Sequence, residues 1–176
     1  LVPTQPKEST VDFDTAFHTL LGHEGGFTDD PRDPGNWTGG RVGAGELRGT
    51  KFGIAANTYP NEDIRNLTVD RAKAIYRRDF WDPVRADELP AEVRYAVFDA
   101  AVNSGVRQAA RWLQRAVGVR ADGVIGPITL DAVRATDPQV LLRRMLSARL
   151  RFMTDLPTWP TFGRGWARRI ADLMEA

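Results

Sequence analysis

Between Pro90 and Gly105 the sequence carries Val93, Tyr95, Ala96, Val97, Phe98, Ala100, Ala101 and Val102, so apolar side chains surround nearly the whole circumference of one helix. Such a helix has no face to give to water and has to lie at the centre of a domain, with other helices packed around it. Asp99 and Asn103 interrupt it, and a buried polar group there needs a partner or a function. The rest of the chain supplies the surrounding helices. Phe13, Ala16, Phe17, Leu20 and Leu21 share one face of a helix predicted over about Asp12 to His23. Thr68 can cap another, with Val69, Ala72, Ile75, Tyr76 and Phe80 in phase. Arg107 to Val117 aligns Ala110, Leu113, Gln114 and Val117. Pro127 and Pro138 stand at first helical positions. The second of these opens a long helix to about Asp155, with Val140, Leu141, Met145, Ala148 and Phe152 as its apolar side. Arg164 to Met174 closes the chain as a short helix, after Trp159, Phe162 and the prolines around them.

The exception is Gly35 to Gly53, where Gly39, Gly40, Gly43, Gly45 and Gly49 alternate with polar and single apolar residues. This composition predicts a loop or small β-hairpin. The fold class is therefore mainly α, with one small β element after the first helix. At 176 residues and 42% hydrophobic, the chain makes about one domain, or one with a small appendage. Leu1 to Thr10 is polar, has no basic-then-apolar signal pattern, and is read as a linker or cloning remnant.

Several chemistries fall away early. There is no cysteine for a thiol nucleophile. His23-Glu24 begins like a His-Glu-x-x-His zinc motif, but Phe27 occupies the second histidine position and His18 lies on another face. Asp29, Asp30 and Asp33 do not have calcium-loop spacing, and no glycine pattern suits a phosphate or dinucleotide. No metal and no cofactor are expected. No apolar run approaches the roughly 20 residues of a membrane span.

Carboxylate acid/base chemistry remains. Glu24 follows Phe13 by eleven positions, which at about 100° per residue returns it to within about 20° of the apolar stripe. Gly25 and Gly26 would then end the helix. An acid held on a core-facing side resists ionisation and can act as a general acid. A glutamate at a helix end can equally be half-exposed, with its head in water. Asp33 lies in a Pro- and Gly-rich turn, where solvent and backbone N–H groups keep it ionised. Two carboxylates in unlike surroundings suit glycoside cleavage. Thr50, at the far lip of the glycine-rich loop, can position a water. Asp30 and Asp33 also have an ordinary turn-making explanation.

Glu24-Gly25-Gly26-Phe27, Asp30-Pro31-Arg32-Asp33-Pro34-Gly35 and Thr50-Lys51-Phe52-Gly53-Ile54 resemble the N-terminal half of the glycoside hydrolase family 108 lysozymes, the phage-type N-acetylmuramidases. Trp81-Asp82-Pro83-Val84 and Phe98 to Gly105 continue the likeness. Asp122-Gly123-Val124-Ile125-Gly126-Pro127-Ile128-Thr129 is similar to the predicted peptidoglycan-binding segment attached to these enzymes. The resemblance implies a lysozyme-like helical fold and cleavage of the β-1,4 bond between N-acetylmuramic acid and N-acetylglucosamine. Glu24 matches the catalytic glutamate, and Asp33 and Thr50 correspond to the Glu/Asp/Thr arrangement of phage lysozymes. One departure is the stretch Asn36 to Gly49, longer than in many members and expected to cover the cleft as a flap.

The candidate substrate-binding residues are Asp30, Asp99, Asn103, Trp159 and Phe162. Asp99 and Asn103 suit holding the cleft together, and Asn103 can also reach an N-acetyl group. The aromatics can stack on sugar faces. Residues 11–105 form the expected catalytic region and 106–176 a helical peptidoglycan-binding region packed on it. The expected enzyme is a monomer with peptidoglycan as partner, no nucleic acid and no stable membrane insertion. It is made in the host bacterial cytoplasm, acts in the periplasm, and depends on a membrane-permeabilising protein. The rival readings are a lytic transglycosylase using Glu24 alone, a non-catalytic wall-binding module built on Asp122 to Thr129, and DNA binding through the Arg-rich C-terminal helices.

Overall fold

A computed structural model describes residues 11–22 and 25–175. Among these there are seven α-helices and one two-stranded antiparallel hairpin, the mainly α architecture that the sequence predicts. The chain divides into two compact units. One is Asp14–Arg78, and the other is Asp79–Ala176 together with Phe13 and the residues before it.

The Asp14–Arg78 unit contains most of α1 (Phe13–Leu21) and all of α2 (Val69–Tyr76). Ala16 and Phe17 of the predicted stripe are buried, and the Phe17 ring meets Tyr76 edge-on at 5.4 Å. The helix stops earlier than the sequence suggests. Gly22 adopts φ +56° and its N–H donates to the His18 carbonyl at 3.0 Å, so it, and not Gly25-Gly26, supplies the left-handed terminus. His23 and Glu24 themselves lie outside the described residues, as does the predicted leader Leu1 to Thr10. Thr68 caps α2 as expected, its hydroxyl accepting from the Arg71 N–H at 3.2 Å. Ala72, Ile75 and Tyr76 are buried, whereas Val69 at the first turn is exposed.

The hairpin joins β1 (Thr50–Lys51) to β2 (Ile54–Ala55), pairing Thr50 with Ala55 and Lys51 with Ile54. Phe52 and Gly53 turn the corner with φ +51° and +72°. Two left-handed residues are what a tight two-residue hairpin turn requires. A side chain at Gly53 would come within 2.6 Å of the Tyr76 hydroxyl, which donates to the Phe52 carbonyl at 3.0 Å.

In the other unit the predicted central helix is α3 (Ala91–Ser104), with Val93, Ala96, Val97, Phe98, Asp99, Ala100 and Ala101 all buried. It packs against α4 (Val106–Val117) and α6 (Pro138–Thr154), and α6 packs against α7 (Trp159–Glu175). Phe13, Trp81 and Phe98 form an edge-to-face cluster with ring centroids 5.2 to 6.1 Å apart. Asp137 caps α6 through the Val140 N–H at 2.9 Å. The buried face of α6 is Leu141, Leu142, Met145, Leu146, Arg149 and Met153, while Phe152 is turned outward against Trp112. α7 begins five residues before the predicted Arg164. Pro160 takes the second helical position, where no N–H is needed. Gly163 is compulsory because Trp159 lies on it, 2.5 Å from where a Cβ would be.

The segment before α5 (Pro127–Arg134) is wound around buried Gln114. The Gln114 amide nitrogen donates to the Asp122 carboxylate at 2.8 Å and the Val124 carbonyl at 3.0 Å, and its oxygen accepts from the Gly123 N–H at 2.9 Å. Asp122 to Thr129 is thus a folded buckle held from inside.

Candidate active site

The centre of the Asp14–Arg78 unit is a residue that the sequence did not single out. Asn36 is fully buried. Its amide oxygen accepts from the Thr50 hydroxyl at 2.7 Å, and its amide nitrogen donates to the Asp30 carbonyl at 3.0 Å. Its backbone carbonyl accepts from both Arg48 N–H and Gly49 N–H, at 2.9 and 3.0 Å. A buried amide satisfied this fully holds its neighbours in one arrangement. Three predicted site residues, Asp30, Asp33 and Thr50, are brought into one knot in this way.

The local sequence explains the knot. Asp33 caps a short 3-10 turn (Pro34–Asn36), its carboxylate accepting from the Gly35 N–H at 2.8 Å. Pro34 presets that turn, and the Asn36 N–H closes it on the Asp33 carbonyl at 3.2 Å. The Asp33 side chain is otherwise exposed, which is the hydrated, N–H-supported setting expected for it. Asp30 is held differently. The Arg32 guanidinium grips its carboxylate with Nε and Nη2 at 3.0 and 2.7 Å, and the Arg32 N–H adds a third bond. These contacts keep the Asp30 carboxyl below the usual carboxylate range.

The long insertion Asn36 to Gly49 forms its own ribbon. Trp37 and Leu47 form a bridge, Thr38 N–H donates to the Glu46 carbonyl at 2.9 Å, and Gly39 N–H to Ala44 at 3.0 Å. Both ends are pinned to Asn36, so the chain enters and leaves at one residue. The added length does not separate Thr50 from the Asp30–Asn36 turn. Thr50 is also paired in both directions with Thr28, at 2.8 and 2.9 Å. Gly49 is the tight point: its φ is +85°, and a Cβ would sit 2.5 Å from the Thr28 carbonyl oxygen.

Glu24 lies outside the described residues, and the predicted Asp99, Asn103, Trp159 and Phe162 lie in the other unit. Asp99 is 1% exposed and both of its carboxylate oxygens are occupied. One accepts from Arg149 at 2.6 Å and the other from Arg169 Nε at 2.8 Å. Its place in the fold is that of a counter-ion joining α3 to α6 and α7. Asn103 is exposed at the end of α3, with its amide nitrogen on the Asp99 carbonyl at 2.8 Å. Trp159 packs on the Gly163 backbone of its own helix. Phe162 is 53% exposed, with its ring 5.8 Å from Trp166.

Comparison with known proteins gives these features a setting. Residues 17–105 match the family described as glycosyl hydrolase 108. Residues 108–171 match the family described as a predicted peptidoglycan domain. Among solved structures the chain is similar to SagA of Brucella abortus, with 35% identity and a TM-score of 0.77, over 93% of this chain and 91% of that one. No curated protein matches it. The fold is lysozyme-like and the chain is a glycoside hydrolase with a peptidoglycan-binding domain behind its catalytic match. On the match across residues 17–105, it belongs to the glycosyl hydrolase 108 family.

Proposed function

We propose that this enzyme hydrolyses the β-1,4 bond between N-acetylmuramic acid and N-acetylglucosamine, with Glu24 as general acid, Asp33 stabilising positive charge or guiding water, and Thr50 orienting that water. The observation that carries the reading is the Thr50–Asn36 hydrogen bond. A hydroxyl has one proton and two lone pairs. With its proton committed to Asn36, Thr50 meets a water as an acceptor, which leaves a water lone pair turned outward for attack. Glycoside cleavage needs such a group besides the acid that protonates the leaving oxygen. The chain just after Glu24 is fastened to the strand that bears Thr50. A side chain at Gly25 would meet the Phe52 ring at 3.0 Å, and Thr28 is bonded to Thr50 both ways.

Glu24→Gln should fold normally and clear no bacterial cell-wall suspension; wild-type-like clearing by that variant ends the proposal. Mass spectrometry of the digest should find products that have gained water, whereas 1,6-anhydro ends would make the enzyme a transglycosylase.

In this reading the protein serves wall lysis as phage endolysins do, made in the bacterial cytoplasm and acting as a monomer in the periplasm. Among the described residues no helix is long and apolar enough to cross a membrane. Cells expressing the protein alone should stay intact and lyse once the inner membrane is permeabilised.

A further inference from the structure

The turn of the hairpin is built against local preference. Phe52 holds φ +51° and is one of two residues other than glycine with positive φ among the described residues. Asparagine or glycine suits the first position of such a turn, whereas a bulky side chain there is strained. Strain that a fold keeps in place points to a use beyond the turn itself.

The contacts of Phe52 say where that use lies. Its ring rests against the chain at Gly25, where a Cβ would be 3.0 Å from both Cδ1 and Cε1. Neither Gly25 nor Gly26 has a positive φ. Gly25 is glycine to admit the ring, while a Cβ at Gly26 would meet open space. On its other side Phe52 is fixed through its carbonyl, which accepts from the Tyr76 hydroxyl at 3.0 Å. Tyr76 is buried and meets Phe17 of α1 edge-on. The helix before Glu24 therefore reaches Phe52 through Tyr76, and the chain after Glu24 reaches it through Gly25. Only His23 and Glu24 stand between Gly22, which ends α1, and Gly25.

We propose that Phe52 is a positioning residue for the reaction: its ring fixes the backbone next to Glu24 and so sets where the general acid stands. The proposal rests on the reading of Glu24 as that acid. Phe52 acts through Gly25 and touches no reacting atom. A displacement of about one ångström can lower a rate about a hundredfold, so a strained turn that prevents it has a function.

The test is steady-state kinetics on soluble peptidoglycan fragments, with thermal unfolding of each variant. Phe52→Asn suits the left-handed turn but has no ring, and Phe52→Leu keeps an apolar side chain without a flat ring. Each should lower kcat at least about tenfold and leave KM near the parent's, because what is lost is placement in the transition state. Phe52→Tyr keeps the ring and should keep kcat near the parent's. Phe52→Asn should melt close to the parent, since relief of the turn offsets the lost contact. Gly25→Ala should lower kcat in the parent but no further in Phe52→Asn, where the ring it would meet is gone. Gly26→Ala should leave kcat unchanged.

Parent-like kcat in both Phe52→Asn and Phe52→Leu overturns the proposal. A rise in KM alone also overturns it, by making the ring a platform for sugar, and so does an additive loss from Gly25→Ala in Phe52→Asn. Glu24→Gln is assayed alongside. Full activity in Glu24→Gln refutes the proposed reaction, and with it the group that Phe52 is meant to place. An inactive Glu24→Gln beside an unaffected Phe52→Asn and Phe52→Leu refutes this inference alone.

Discussion

The Thr50 hydroxyl donates to the Asn36 amide oxygen at 2.7 Å, across fourteen positions of sequence, and Asn36 is completely buried. Thr50→Val keeps the shape of the side chain but leaves that oxygen without its donor. The expected cost is about 1–3 kcal/mol of stability. Hydrolysis should fall at least about tenfold, because a misplacement of one ångström can cost about a hundredfold. Thr50→Ser keeps the donor and should stay within about 1 kcal/mol of the parent, the cost of a lost methyl. Urea unfolding and turbidity clearance of cell walls read the two quantities separately. If valine and serine behave alike, the hydroxyl has no part in either.

Gly49 sets how closely the two sides of the knot approach. Gly49→Ala would put a methyl 2.5 Å from the Thr28 carbonyl oxygen in a residue already at φ +85°. Overpacking of about 1–3 kcal/mol then adds to about 1–2 kcal/mol for the left-handed conformation. Gly43 has a similar φ of +78° and open space around it, so Gly43→Ala should show only the smaller, conformational cost. Equal destabilisation of the two variants by urea would mean that the contact with Thr28 is unimportant.

What the sequence made legible was local. Thr68, Pro127 and Asp137-Pro138 begin helices where their side-chain chemistry says they should, and the all-round apolar pattern after Pro90 is the buried α3. What it concealed was relational. Gly25 and Gly26 carry the sequence signature of a helix stop, but Gly22 takes the left-handed conformation first. Pro160 and Gly163 lie inside the last helix, where one needs no N–H and the other makes room for Trp159. Asn36 meets Thr50 only because the intervening ribbon returns to its starting residue. Arg149 is kept inside by its bond to Asp99, fifty positions away, which no local pattern announces.

The buckle from Asp122 to Thr129 carries a defined pH response. The Gln114 amide and then the Val124 N–H hold the Asp122 carboxyl below its ordinary value of 3.8. A carboxyl lowered in the folded state stabilises above its unfolded value, and that contribution disappears as pH falls through the folded value. The buckle should therefore be indifferent to pH between about 5 and 8 and loosen only below about 3.8. Side-chain amide resonances of Gln114, followed by NMR from pH 7 to pH 2, should move only in that acid range. A transition near neutrality would show that another group governs the segment.

Asp99 tests whether the inner ion network is structural. Its carboxylate is the meeting point of two guanidiniums, one of them on a residue almost entirely out of water. Asp99→Asn keeps the size and removes the charge, so the two arginines then face each other across a neutral amide. Breaking one partner of a buried pair costs about 3–5 kcal/mol, whereas removing both members is much milder. Asp99→Asn should therefore unfold at distinctly lower urea, and adding Arg149→Met to it should restore part of the loss. That recovery is the diagnostic outcome, since two independent destabilising substitutions would simply add. If the double variant is instead less stable than Asp99→Asn by the full cost of Arg149→Met alone, the two residues do not act as a pair.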